Sequence, residues 1–94
     1  MLKIILNKQK ENLTIYLKGK LTKNNINQLS VISTILKKCY FSSVTYNLNG
    51  LTTIDIKGIA YLRRLIAINK HNQTKYQIIH SKNNSLESLK LLAS

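Results

Sequence analysis

The chain carries few residues of the types that catalyse reactions, and their spacing forms no familiar catalytic group. Its 94 residues include two histidines, one cysteine and three carboxylates, which are Glu11, Asp55 and Glu87. The sequence offers no carboxylate pair, no cysteine–histidine pairing and no glycine-rich phosphate loop. His71 and His80 show no metal-ligand spacing with Cys39 or with the carboxylates, so we expect neither a metal nor a cofactor. The sequence therefore indicates a compact binding module rather than an enzyme.

Asp55 has a structural interpretation as the cap of a helix. Its carboxylate would accept from the backbone N–H of Lys57 or Gly58, and its charge suits the positive end of the helix dipole. Gly58 then falls in the first turn, although glycine in a helix costs up to ~1 kcal/mol relative to alanine. Two interpretations of Gly58 stay open: close packing of the helix on a sheet, or close approach of a partner to the backbone.

The elements around Asp55 are predicted to follow one another directly. Alternating apolar residues from Val44 to Leu48 are typical of a strand. Asn49 and Gly50 are the residue types best able to take positive φ, so they predict a tight turn after that strand. A helix start at Asp55 then completes a strand, turn and helix in succession.

The segment from Asn47 to Leu62 resembles the central motif of STAS domains, the Sulfate Transporter and Anti-Sigma factor antagonist family. A second segment, Leu17 to Thr22, resembles the upstream L-x-G-x-L-[DT] signature of that family. The order and spacing of the two segments align nearly the whole chain with the family. The resemblance implies a protein-interaction module that docks onto a partner through the turn and the N-terminus of the second helix.

One position departs from the family pattern. Anti-sigma-factor antagonists of the family carry a phosphorylatable serine directly after the aspartate, and this chain has Ile56 there. Isoleucine has no hydroxyl, so we predict no phosphorylation at this position. Thr52 and Thr53 lie nearby but are displaced from the motif.

The resemblance also implies a set of docking residues on the second helix and just before it. Tyrosine and arginine are favoured anchors of protein interfaces, although an ordinary solvated helix face is an equal alternative for this side of the helix. The predicted partner-binding residues are Thr53, Asp55, Ile56, Lys57, Gly58, Tyr61 and Arg64.

Length and composition predict a single small domain spanning residues 1–94. A hydrophobic content of 44% argues against disorder, and no apolar run approaches the ~18 residues of a membrane-spanning helix. The N-terminal residues lack the form of a signal peptide, so we expect a cytoplasmic protein. Cys39 is interpreted as a half-buried cysteine at a helix end rather than as a reactive thiol.

The net charge of +12 is the most unusual bulk property. Such a charge favours nucleic acid, anionic lipid or an acidic protein as a partner. The lysines are scattered along the chain, however, and a lysine-rich and asparagine-rich composition with no functional meaning is the alternative.

The apolar periodicity predicts α/β architecture, with one mixed four-stranded sheet, helices mainly on one face, and the order β-β-α-β-α-β-α. The predicted strands are 2–6, 13–17, 44–48 and 75–79, and the predicted helices are 25–38, 56–69 and a third opened by a capping box at Asn84 and Glu87. In the first helix Thr22 or Asn24 would be the cap, and Val31 and Ile35 would widen the stripe facing the sheet. In the second helix the sheet-facing residues would be Ile59, Leu62, Leu65, Ile66 and Asn69, with Lys57, Tyr61, Arg64 and Ile68 on the other side.

Three functions compete at this point. The favoured hypothesis is a non-catalytic STAS subunit that binds and regulates the ATPase subunit of a phospholipid-transport ABC transporter, with peripheral contact to an anionic membrane at its cytoplasmic face. It depends on the short chain, on Leu21-Thr22 in place of the usual L-D, and on the positive charge. The alternative is an anti-sigma-factor antagonist that binds an anti-sigma factor without the usual serine. Nucleic-acid binding ranks third, because no recognition helix or aromatic platform accompanies the charge.

Overall fold

The computed structural model describes residues 1–80, which form one sheet and two α-helices. The elements are β1 (Leu2–Gln9), β2 (Asn12–Leu21), a 3₁₀ turn (Ile26–Leu29), α1 (Ser30–Lys38), β3 (Ser43–Ile54), α2 (Ile56–His71) and β4 (Lys75–Ile79). The third predicted helix, opened by Asn84, lies outside the described residues.

The four strands lie side by side in the order β1-β2-β3-β4. β1 is antiparallel to β2, whereas β2 with β3 and β3 with β4 are parallel. Parallel neighbours need a crossover connection, and α1 and α2 supply the two that this sheet requires. The predicted mixed four-stranded sheet is therefore confirmed.

The core lies between the sheet and the two α-helices. Alternate residues of β2 and β3 are buried, so one face of the sheet packs against the helices while the intervening residues are half-buried or exposed. The buried side chains of the two strands are Leu13, Ile15, Leu17, Leu21, Val44, Tyr46, Leu48 and Leu51. The helices contribute Ile32 and Leu36 from α1, with Ile59, Leu62, Leu65 and Ile66 from α2, which confirms the predicted sheet-facing stripe of α2.

A buried hydrogen bond fixes α2 on the centre of the sheet. The Tyr46 hydroxyl of β3 donates to Oδ1 of Asn69, a residue predicted to face the sheet and 1% exposed in the structure. Burial raises the pKa of the Tyr46 hydroxyl far above its ordinary value, with a smaller contribution from Tyr76. Tyr46 is therefore a neutral donor that satisfies an otherwise costly buried amide.

The predicted tight turn at Asn49 and Gly50 is wrong, because β3 continues through both residues to Ile54. β2 extends alongside it, and the pairing resumes with an irregular register from Lys18 to Leu21, so ladder hydrogen bonds outweigh the turn preference of the two residues. The glycine with a left-handed backbone is Gly19, at φ +100, where a Cβ would clash with the carbonyl oxygen of Met1. The glycine with positive φ thus lies in β2, beside β3.

The first helix is shorter than the predicted 25–38, because its first turn is a separate 3₁₀ turn. Neither predicted cap, Thr22 or Asn24, caps α1. Instead the side chain of Asn25 accepts from the Thr22 N–H at 2.8 Å and donates to the Lys20 carbonyl at 2.7 Å, closing the chain onto the end of β2. Val31 is 49% exposed and so does not widen the sheet-facing stripe.

Candidate functional site

Asp55 is the only residue between β3 and α2, and its hydrogen bonds join three segments. One carboxylate oxygen accepts from the Gly58 N–H at 2.8 Å, and the other accepts from the Lys23 N–H at 2.9 Å. Its own backbone N–H donates to the Leu21 carbonyl at 3.1 Å. The N–H of Gly58, followed by that of Lys23, holds the pKa of Asp55 below its ordinary value. The predicted helix cap is confirmed, and both carboxylate oxygens are already engaged.

Ile56 is the first residue of α2 and its side chain is 82% exposed. Among the large hydrophobic residues of the described chain, only the terminal Met1 is more exposed. Beside Ile56 lies a shallow hollow of about 140 Å³, lined by Ile56, Ile59, Ala60 and Arg63. An exposed aliphatic side chain therefore lies next to a small concavity at the N-terminus of α2.

Gly58 is buried beneath this surface. A Cβ at this position would lie 2.6 Å from the Leu21 carbonyl oxygen and 2.9 Å from Leu21 Cγ. Such distances are too short for real contacts, so glycine is what lets α2 approach the end of β2. The packing interpretation of Gly58 accounts for it, and a partner has no access to its backbone.

The remaining predicted docking residues are not all on one surface. Lys57 and Arg64 are exposed on the solvent side of α2. Tyr61 is half-buried and packs with Ile68 against the core, so the prediction that these two residues lie on the opposite side of α2 from its core-facing residues is wrong. Thr53 is exposed on β3, where it pairs with Lys20 of β2.

The sequence interpretation missed residues that share the exposed surface with Ile56. Ala60, Arg63 and Ala67 follow Ile56 at spacings of four, seven and eleven residues and are all exposed. That spacing is readable in the sequence and could have identified them. Lys23 could not have been found this way, because a contact across 32 residues of chain brings it beside Asp55.

The other candidate features provide less evidence of a function. Cys39 is exposed rather than half-buried, since α1 ends at Lys38 and the chain leaves the helix in extended conformation at Cys39. Within residues 1–80, no three histidine, cysteine or carboxylate side chains cluster so as to hold a metal ion. No helix in that part of the chain is long and apolar enough to cross a membrane.

No protein-family model matches the sequence, and no curated protein sequence matches it either. Solved structures do match. An anti-sigma factor antagonist from Mycobacterium paratuberculosis has a TM-score of 0.80 at 9% identity, over 99% of this chain and 79% of that chain. The Bacillus cell fate determinant SpoIIAA in its phosphorylated form has a TM-score of 0.74 at 19% identity, over 97% of this chain and 81% of that chain.

A third structure carries the family name itself. The STAS domain of an antisigma-factor antagonist from Rhodobacter sphaeroides has a TM-score of 0.64 at 11% identity, over 93% of this chain and 94% of that chain. Identities this low transfer no function, but a likeness over at least 93% of this chain and at least 79% of each matched chain identifies the architecture. The chain has the fold of STAS domains, as the resemblance of its segment from Asn47 to Leu62 predicted.

Proposed function

We propose that this protein is a non-catalytic interaction module that docks onto a protein partner through the junction of β3 and α2. The observation that carries the proposal is Ile56, an aliphatic side chain 82% exposed at the start of a helix. Burying such a side chain in a partner contributes up to ~1.5–3 kcal/mol. Asp55 and Gly58 support the docking surface indirectly, since the first caps α2 and the second lets it pack on β2.

An anti-sigma factor is the partner we propose. The three solved structures of matching fold named above are described as anti-sigma-factor antagonists or as SpoIIAA. None of them is a transporter subunit, so the anti-sigma factor replaces the ABC-transporter ATPase subunit as the first candidate. A partner of this class would be met in the cytoplasm, and peripheral contact with an anionic membrane belongs to the transporter hypothesis alone.

Binding at this junction is proposed to be constitutive. One matching structure is a phosphorylated form of SpoIIAA, but position 56 here is isoleucine and accepts no phosphate. Of the nearby hydroxyls, that of Thr52 donates to the Gly19 carbonyl at 3.1 Å. Control by phosphate would therefore need a position other than 56.

The test is the substitution Ile56→Asp, titrated by calorimetry against a purified anti-sigma factor and, separately, against a transporter ATPase subunit from the same genome. A charge beside Asp55 and the loss of the apolar contact should weaken binding about tenfold or more. Since the side chain is exposed, the free energy of unfolding should change by less than about 0.5 kcal/mol.

Tyr40→Asp is the matched control. It replaces another exposed hydrophobic, 64% exposed, with the same charge at the opposite end of the helix layer, after α1. Binding of this variant should equal that of the wild type. Equal loss in both variants, or no binding of the wild type to either partner, would refute docking through the junction.

A further inference from the structure

Four exposed cations lie on the N-terminal part of α2 and on the loop beside its start, where Ile56 begins the helix. Lys57 and Arg64 lie on the solvent side of α2, and Arg63 lines the hollow beside Ile56. Lys23 reaches the same place from the loop after β2, because its backbone N–H donates to the Asp55 carboxylate. We call three of these residues, Lys23, Lys57 and Arg64, the basic ring.

The carboxylates of residues 1–80 balance little of the positive charge of the basic ring. Residues 1–80 contain two acidic side chains, Glu11 and Asp55. Asp55 supplies one negative charge at the junction, and its two oxygens accept from backbone N–H groups rather than from the cationic side chains. Glu11 accepts from the Ser42 hydroxyl at the far end of β2, roughly 30 Å from the junction at the usual rise per strand residue. Within residues 1–80, no carboxylate pairs with Lys23, Lys57 or Arg64.

From this arrangement we propose that the partner presents a carboxylate-rich protein surface around a small apolar pocket that receives Ile56. The inference rests on the proposed function and adds the chemistry of the partner. Docking Ile56 brings the basic ring to the edge of the interface, where unpaired cations would repel a neutral or basic partner. Carboxylates at matching positions would steer association and fix the orientation of the complex.

The shape of the surface favours a protein over a lipid bilayer. Ile56 is a single aliphatic knob, and next to it the surface is concave, with a hollow of about 140 Å³. A projecting side chain beside a concavity fits a protein surface that has a matching pocket and a matching projection. Insertion of one isoleucine into lipid supplies little, since even a whole acyl chain gives only marginal membrane binding.

The experiment compares two double variants that lower the net charge by the same amount. Lys57→Glu with Arg64→Glu reverses two residues of the basic ring, and Lys8→Glu with Lys75→Glu reverses two exposed lysines near one end of the sheet. Each is titrated by calorimetry against the partner that binds the wild type, at about 50 mM and about 500 mM NaCl. Thermal melts of both variants establish that they remain folded.

We expect the ring variant to bind at least about tenfold more weakly at low salt and the remote variant to stay within about twofold of the wild type. The difference should shrink at high salt, because screening weakens charge pairs at the edge of an interface. Equal losses in the two variants would assign the effect to the overall charge and overturn the inference.

A different result would separate the two proposals. If Ile56→Asp abolishes binding but neither salt nor the ring variant affects it, the inference of a carboxylate-rich partner is overturned and docking at the junction stands. Vesicles with about 30% phosphatidylglycerol provide the last arm. In one outcome, the wild type sediments with these vesicles while the Ile56→Asp and ring variants do not. If protein binding is also independent of salt, that result would assign the surface to a membrane instead.

Discussion

Two adjacent residues at the junction differ in how well their environments suit their chemistry. The Asp55 carboxylate is well placed, since it caps a helix and accepts from the N–H groups of Gly58 and Lys23. Ile56 is aliphatic, yet it is 82% exposed. The first arrangement stabilises the fold, since it ties α2 to the loop after β2. The exposure of Ile56 stabilises nothing within residues 1–80, so we assign this side chain to contact with a partner.

The environment of Asp55 predicts a pH dependence of stability. Because its pKa is lower in the folded protein than its ordinary value, the ionised carboxylate stabilises the fold at pH values above that ordinary value. The contribution is lost as pH falls through the lowered pKa of the folded state. Asp55→Asn keeps an acceptor for one N–H but removes the charge, so its free energy of unfolding should be lower than that of the wild type at neutral pH.

Urea denaturation from about pH 7 to about pH 2 measures this difference. The gap between Asp55→Asn and the wild type should be constant above about pH 5 and close below about pH 4. The other carboxylates are present in both proteins, so their titration cancels in the comparison. A gap that is independent of pH would show that the Asp55 charge is not held by these N–H groups.

At the scale of elements, the start of α2 depends on a close approach to β2. Ala is the better helix former, so Gly58→Ala would stabilise an unconstrained helix by up to ~1 kcal/mol. Here the added Cβ meets the Leu21 carbonyl oxygen at 2.6 Å and Ile54 Cγ1 at 3.1 Å. We expect the variant to be destabilised by about 1–3 kcal/mol instead.

Denaturant titrations of Gly58→Ala and of Ala67→Gly in the same helix separate packing from propensity. Ala67 is exposed, so its replacement should cost only the propensity difference of about 1 kcal/mol. A stabilised Gly58→Ala would contradict the packing role.

The same elements show what sequence could and could not predict. α2 was predicted to within two residues, because its apolar stripe is regular and Asp55 caps it locally. The predicted β3 ends six residues too early, since turn propensity at Asn49 and Gly50 is local while the pairing that extends the strand comes from β2. The exposure of Ile56 follows from its position on α2, but the approach of Lys23 to Asp55 is long-range.

At the scale of the whole molecule, the net charge of +12 acts beyond the junction. Exposed cations occur at both ends of the sheet, among them Lys8 and Lys75 at one end and Lys23 and Lys57 at the other. Nucleic acid responds mainly to the sum of such charges, since phosphate contacts release counterions wherever they form. A protein partner docked at the junction responds to the charges that lie there.

Any binding of nucleic acid should therefore depend on the overall charge of the protein. We expect a random duplex of about 20 base pairs to bind weakly, with affinity falling steeply between about 50 mM and 200 mM salt. Both double charge reversals, at the ring and at Lys8 with Lys75, should weaken that binding equally, because each removes the same charge from a diffuse field. Fluorescence anisotropy of the labelled duplex measures both affinities. A loss confined to the ring variant, persisting for RNA and DNA alike, would locate a nucleic-acid site at the junction and favour nucleic acid over protein as the partner there.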